Sequence, residues 1–343
     1  MSDGIDLGTL DAAGVHRCLL WRDPAVGLTA ILVIDDLTLG PGAGGVRTRA
    51  YPSLAAALAE ASGLAQAMTR KCALAGLAAG GAKAVVLDHP GLDRPRAFAR
   101  LGELVTELGG VFRTAGDLGT TAADLRAMAS TCPYVQVDEP GLAAAVARGL
   151  VGCVAACADL RGRELAGLRV AVQGCGSIGG AVARALHARG AALTIADLDP
   201  DRAAQLAPAV AARVVGVDEL LTADVDVVAP CAVGGVITAE LAARLRAFAV
   251  CGAANNCLDG PAAAMVLTRR GILHVPDEVA SAGAVIEGIG AAVMGLADRG
   301  PLIDALAHTA RALLTASLES GVPTQLLAAQ QARARLAAAR PPR

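Results

Sequence analysis

An α/β protein of two domains, the second built on a doubly wound parallel sheet, is what this sequence predicts, and three observations carry that expectation. The chain has 343 residues, long for a single hydrophobic core and in the range where chains divide. Its second half alternates short apolar runs with helical stretches, the order of βαβ units. One such unit contains the glycine turn Gly174-Cys-Gly176-Ser-Ile-Gly179 between a strand-like and a helix-like run. The expected division gives 1–142 plus 322–343 to an N-terminal α/β domain and 143–321 to the doubly wound sheet, with a cleft between them.

Composition narrows the class. Apolar residues make up 54% and charged residues 18%, which is enough to fill cores and argues against disorder. The mean hydropathy of +0.51 comes mostly from alanine and glycine interrupted by charges, so no membrane-spanning helix is expected. Met1 to Asp6 shows no basic stretch leading into an apolar run, so a cytoplasmic protein is expected. Nine cysteines without a Cys-x-x-Cys pair read as free thiols. His16, His89, His187, His274 and His308 are dispersed, and no metal is expected. A net charge of −2 with 2% aromatics offers neither a phosphate-tracking surface nor a stacking platform, so neither nucleic acid nor a membrane is an expected partner.

The elements follow in order. Cys18–Trp21 and Leu28–Ile34 are β-type runs separated by Asp23-Pro24 and Gly27, and are expected to pair antiparallel. Leu39 to Arg47 reads as a glycine-rich loop, and Pro52 as the first-turn proline of a helix. Lys83–Leu87 reads as a buried strand and 94–108 as a helix. Alanine-rich 141–160 is expected to be the helix joining the domains. Strands at 168–173, 191–196, 225–229 and 247–251, with helices between them, make the parallel sheet, and helices at 302–319 and 323–339 close the chain.

In the glycine turn, Asp197 follows Gly176 by 21 residues at the end of the next strand. That offset is close to the roughly 20 residues expected of a ribose-binding acid in a dinucleotide fold of the Rossmann type. Gly174, Gly176 and Gly179, with Ser177 and Ile178, would hold a pyrophosphate at the helix N-terminus. A carboxylate at 197 repels a 2′-phosphate, and NAD is the expected cofactor.

Hydride transfer needs a substrate held beside the cofactor, and the first domain offers the means. Only two of the thirty basic residues are lysines, Lys71 and Lys83, and both lie in one glycine-rich stretch. In a chain that otherwise uses arginine, a retained lysine points to lysine chemistry: a compact charge and an amine whose pKa can fall into the working range. Asp117, on a glycine-flanked turn ahead of a helix, is a candidate acid; taken alone it reads as a helix N-cap.

These residues resemble the glutamate, leucine, phenylalanine and valine dehydrogenases. Thr38 to Arg47 is similar to that family's substrate loop, Met68-Thr-Arg-Lys71 to its carboxylate-binding segment, Gly80-Gly-Ala-Lys83 to its catalytic-lysine motif, and Thr114-Ala-Gly-Asp117 to its catalytic-aspartate segment. The resemblance extends through Ala229-Pro-Cys-Ala, Gly252-Ala-Ala-Asn-Asn256 and Pro276 to Gly283.

It implies NAD-dependent, reversible oxidative deamination of an L-amino acid to a 2-oxo acid and ammonia by a homo-oligomer. Lys83 and Asp117 would be catalytic, and Lys71, Gly44 and Gly45 would hold the substrate. Ala229, Cys231, Ala254 and Asn256 would complete the cofactor site. Ala43 stands where glutamate-specific members carry a lysine, so an apolar substrate is implied, branched-chain or aromatic. Its pocket would be lined by Ala43, Met68, Ala115, Val285 and Gly288. Ser281, Ala284 and Val146 depart from the family pattern and leave a catalytically silent NAD- or amino-acid-binding homologue as the alternative.

Overall fold

A computed structural model describes residues 6–137 and 141–340; the Met1–Ile5 part of the N-terminal reading lies outside them. Two compact units emerge: 1–140 with 288–296 and 332–343, and 141–287 with 297–331.

In the first unit, Asp6 caps α1 (Leu7–Ala12) through the Thr9 N–H. The hairpin is antiparallel as its pattern predicts: β1 (Cys18–Asp23) pairs with β2 (Leu28–Asp36) from Cys18↔Val33 to Asp23↔Leu28. The stretch read as a glycine-rich loop is instead partly strand. Its residues form β3 (Gly42–Ala43) and β4 (Val46–Arg49), because glycines let the backbone lie against the strand that follows. Ser53, and not Pro52, opens α2 (Leu54–Ala75), its hydroxyl accepting the Ala56 N–H, and Gly76 at φ 74° closes it. Then come β5 (Gly80–Leu87), α3 (Arg94–Thr106), β6 (Phe112–Arg113) and α4 (Ala122–Ala129). β5 is the hub: it runs antiparallel to β2 and parallel to β3 and β4.

Strand alternation sorts the two faces. Leu28, Ala30, Leu32, Ala82, Ala84 and Val86 pack with Phe98, Leu101 and Val105 of α3, while Ile31, Val33 and Val85 pack with Ala57, Leu58, Ala61 and Ala65 of α2. Lys83 has the parity of Val85 and pairs with Val33, so its side chain leaves the sheet on the α2 side.

The second unit opens with α5 (Leu142–Asp159). By length and composition this helix is apolar enough to cross a membrane, contrary to the composition reading, but most of it is buried inside the protein. It lies against the helices Ser177–Ala188 and Gly300–Ser320, as a core helix does. The sheet comprises β7 (Arg169–Gln173), β8 (Ala192–Ala196), β9 (Arg213–Val214), β10 (Val227–Pro230), β11 (Ala249–Val250) and β12 (Leu273–His274). Its order is β12-β11-β10-β7-β8-β9, all parallel, reversing between β7 and β10. That is the doubly wound arrangement with its switch point beside β7. The connecting helices are α6 (Ser177–Ala188), α7 (Pro200–Leu206), α8 (Val217–Thr222), α9 (Ala239–Arg244) and α10 (Pro261–Arg269). The chain finishes with α11 (Asp277–Ala280), α12 (Gly283–Met294), α13 (Gly300–Ser320) and α14 (Thr324–Ala339).

Candidate active site

Close backbone pairing builds the candidate site of the first unit. Residues 111–118 run alongside 42–48: the Gly42, Gly44, Val46 and Thr48 amides donate to Val111, Arg113, Ala115 and Leu118 at 2.8, 3.2, 2.9 and 2.9 Å. A Cβ on Gly45 would stand 2.8 Å from the Gly116 oxygen and 3.0 Å from the Asp117 Cβ, and one on Gly44 would stand 1.7 Å from the Ala82 oxygen. Only glycine lets the Asp117 turn and β5 approach this strand so closely. Asp117 does not cap α4; that task falls to Thr121, which forms a capping box with Asp124.

Freed from capping, Asp117 accepts from Lys83: Nζ lies 2.6 Å from Oδ2, with the lysine side chain 7% exposed and the aspartate 20%. The same Oδ2 accepts from Arg47 Nε at 2.9 Å, while Arg47 Nη1 donates to Glu60 Oε1 at 2.6 Å. Burial pushes the Lys83 amine below its ordinary pKa; Asp117 pulls it back up, and Arg47 and Lys71 add to the downward push. Burial alone would raise the Asp117 carboxyl, but Lys83 and Arg47 outweigh it and hold the pKa at about 2. Lys71 and Met68 lie half-buried on α2, and Ala43 is wholly buried in β3. Ala115 is half-buried beside the Asp117 turn, and Val285 and Gly288 are half-buried on α12.

In the second unit a groove of ≈ 620 Å³ opens at the end of β7, lined by Gly174, Gly176, Ser177, Ile178, Gly179, Asp197 and Cys231 among others. Gly174 has φ 97°, and a Cβ on Gly179 would strike the Gly174 oxygen at 1.9 Å, so strand and helix are pressed together here. A Cβ on Gly176 would meet nothing within 4 Å, and α6 begins without a side-chain cap. Its first N–H groups therefore have no side-chain cap to accept from them. Asp197 accepts from the Cys175 and Asp199 amides at 2.6 and 2.9 Å. Burial raises its pKa, but those bonds and Arg202 outweigh it and keep it low.

Comparison with known proteins decides the family. The model described as Glu/Leu/Phe/Val dehydrogenase, dimerisation domain, matches residues 21–134, and that described as Glutamate/Leucine/Phenylalanine/Valine dehydrogenase matches 201–289. A leucine dehydrogenase of Geobacillus stearothermophilus is 36% identical over 280 residues, 79% of this chain and 76% of its own. A phenylalanine dehydrogenase of Caldalkalibacillus thermarum is 36% identical over 294 residues, 81% and 80% of the two chains. The chain belongs to the glutamate/leucine/phenylalanine/valine dehydrogenase family. The crystal structure of L-tryptophan dehydrogenase from Nostoc punctiforme matches it with a TM-score of 0.86 at 32% identity, covering 97% of this chain and 98% of that one.

The protein is therefore an amino-acid dehydrogenase, from a family that uses NAD(P). The groove fits such a cofactor: a glycine cradle that side chains would fill, an uncapped helix start for the pyrophosphate and a carboxylate at the far strand for ribose hydroxyls. Three expected cofactor contacts lie outside it. Ala229 is wholly buried in β10, Ala254 is nearly so, and Asn256, at φ 51°, lines a separate pocket with Pro261 and Leu326. Of the departures from the family pattern, Val146 is buried in α5, and the Ser281 hydroxyl donates to the Asp277 backbone oxygen at 2.7 Å.

Sequence reasoning missed Arg47 and Glu60. Arg47 lies in the glycine-rich loop motif, but its 70-residue separation from Asp117 leaves no local spacing to read.

Proposed function

We propose that this dehydrogenase catalyses the NAD-dependent, reversible oxidative deamination of an apolar L-amino acid. Amino acid, NAD and water give the 2-oxo acid, ammonium, NADH and a proton. The observation that carries this is a buried lysine amine 2.6 Å from an aspartate held at a pKa of about 2. Burial lowers the Lys83 pKa and so raises the fraction of neutral amine available to move a proton.

Lys71 would pair with the substrate α-carboxylate. When bound, NAD supplies the acceptor for the α-hydrogen as hydride. Lys83 would draw a proton from the water that attacks the iminium carbon, then steady the carbinolamine oxygen as an ammonium. Asp117, bonded to that amine, would pass protons between water and the departing amine. Ala43 places no cation at that position of the substrate loop, and Arg47, farther along it, is already engaged with Asp117 and Glu60, so a second carboxylate would be buried unpaired, at a cost that favours apolar side chains.

NAD is preferred over NADP because the Asp197 carboxylate repels a 2′-phosphate and Arg202 is engaged with Asp199 at 3.2 Å. The dimerisation-domain match over 21–134 supports a homo-oligomer.

Purified protein mixed with NAD, or separately NADP, and a panel of L-amino acids tests this directly by the absorbance of the reduced cofactor. Turnover of leucine, valine, phenylalanine or tryptophan with NAD, and little with glutamate or with NADP, is expected. Cofactor binding without turnover of any amino acid would favour a silent homologue.

A further inference from the structure

The Lys83–Asp117 pair is already neutral by itself, yet Asp117 carries a second cation. Arg47, on β4, grips both carboxylate oxygens, Nε to Oδ2 at 2.9 Å and Nη2 to Oδ1 at 3.4 Å. Its remaining edge is held by Glu60 of α2 at 2.6 Å, and both side chains are mostly buried, 15% and 23% exposed. An amine is a single point about which a carboxylate can swivel, whereas a guanidinium fork fixes the plane of the carboxylate. Glu60 in turn fixes the plane of the fork.

The charges alternate along this chain: Lys83, Asp117, Arg47, Glu60, with Arg49 of β4 at the outer end, 3.6 Å from Glu60. Other groups also face it. Lys71 of α2 is felt at Lys83 and the Tyr51 hydroxyl at Glu60.

We propose that Arg47, anchored by Glu60, is a positioning residue that fixes the Asp117 carboxylate against the Lys83 amine. The proposal deepens the dehydrogenase reading and rests on it for the chemistry. A carboxylate shared with a permanent cation stabilises a neighbouring ammonium less than one belonging to the lysine alone. Because guanidinium stays charged at every working pH, Arg47 does this without taking up the proton itself. A plain staple between β4 and α2 would use the same contacts but leave the Lys83 titration alone.

The chain's two lysines make the test readable, since lysine labelled with carbon-13 at Cε gives one resonance for Lys71 and one for Lys83. In Arg47→Met the Lys83 titration midpoint is expected to rise by about half a pH unit or more. The kcat should fall about tenfold or more, with the amino-acid KM within about threefold of wild type. Arg47→Lys should recover part of both changes. If Arg47→Met fails to fold, as judged by circular dichroism and cofactor binding, Arg47→Gln is read in its place. An unmoved midpoint or an unmoved kcat in the folded variant overturns the proposal. Absence of turnover in the wild type would contradict the dehydrogenase reading instead, and the midpoint, which needs no substrate, would still decide the role of Arg47.

Discussion

Two oppositely charged residues at the heart of the first unit have pKa values lowered for different reasons; one contributes stability and the other costs it, and both make stability rise with pH. Asp117 titrates at about 2 when folded and near 4 in an unfolded chain. Between those values the unfolded chain binds more protons, so the contribution is complete above about pH 4 and is lost as pH falls toward 2. Its size is about 2 kcal/mol before allowance for partial solvent screening. Asp117→Asn should therefore be less stable than wild type near pH 5, with the gap closing by roughly that amount on the way to pH 2. Chemical denaturation at several pH values reads this, and a constant gap contradicts it. Lys83 works the other way: its depressed pKa means that folding strains against the charged amine, a cost that fades as pH rises. Retention of a buried lysine at such a cost supports the proton-transfer role proposed for it.

Among the elements, glycine contacts decide whether the site exists. Gly45 has Gly116 oxygen at 2.8 Å from where its Cβ would be, and Asp117 Cβ at 3.0 Å. Gly45→Ala is expected to displace the Asp117 turn, lowering kcat about tenfold or more at a stability cost of about 1–3 kcal/mol. Steady-state kinetics with a melting curve checks both, and wild-type kcat would show that the turn tolerates the shift. The long periodic elements were legible beforehand. The hairpin, α2, α3, α5 and the strand-turn-helix around Gly174 all follow from alternation, 3.6-residue spacing and turn residues. What was illegible is whatever only neighbours create. β9 and β12 are two-residue strands defined by pairing with β8 and β11. β3 and β4 looked like a loop because glycines hide strand character that β5 imposes. Asp117 read as a cap until Thr121 proved to fill that role. Both lysines and the Gly174–Asp197 constellation were visible as composition and spacing, whereas the Arg47–Glu60 anchor was not.

On the scale of the whole molecule, the chain separates its work. The first unit carries the ionic chain around Lys83 and the second carries the glycine groove. Its high hydropathy, which reaches membrane-like values in α5, is spent on an alanine-rich interior in which that helix is packed. The most direct test of the account is the kcat of Lys83→Arg against wild type, with NAD and the best apolar L-amino acid. Arginine keeps the charge and the bond to Asp117 but gives up the movable proton, so a fall of about 10²–10⁴ is expected in a folded, cofactor-binding variant. Activity near that of wild type would contradict the central claim that Lys83 moves a proton in the reaction.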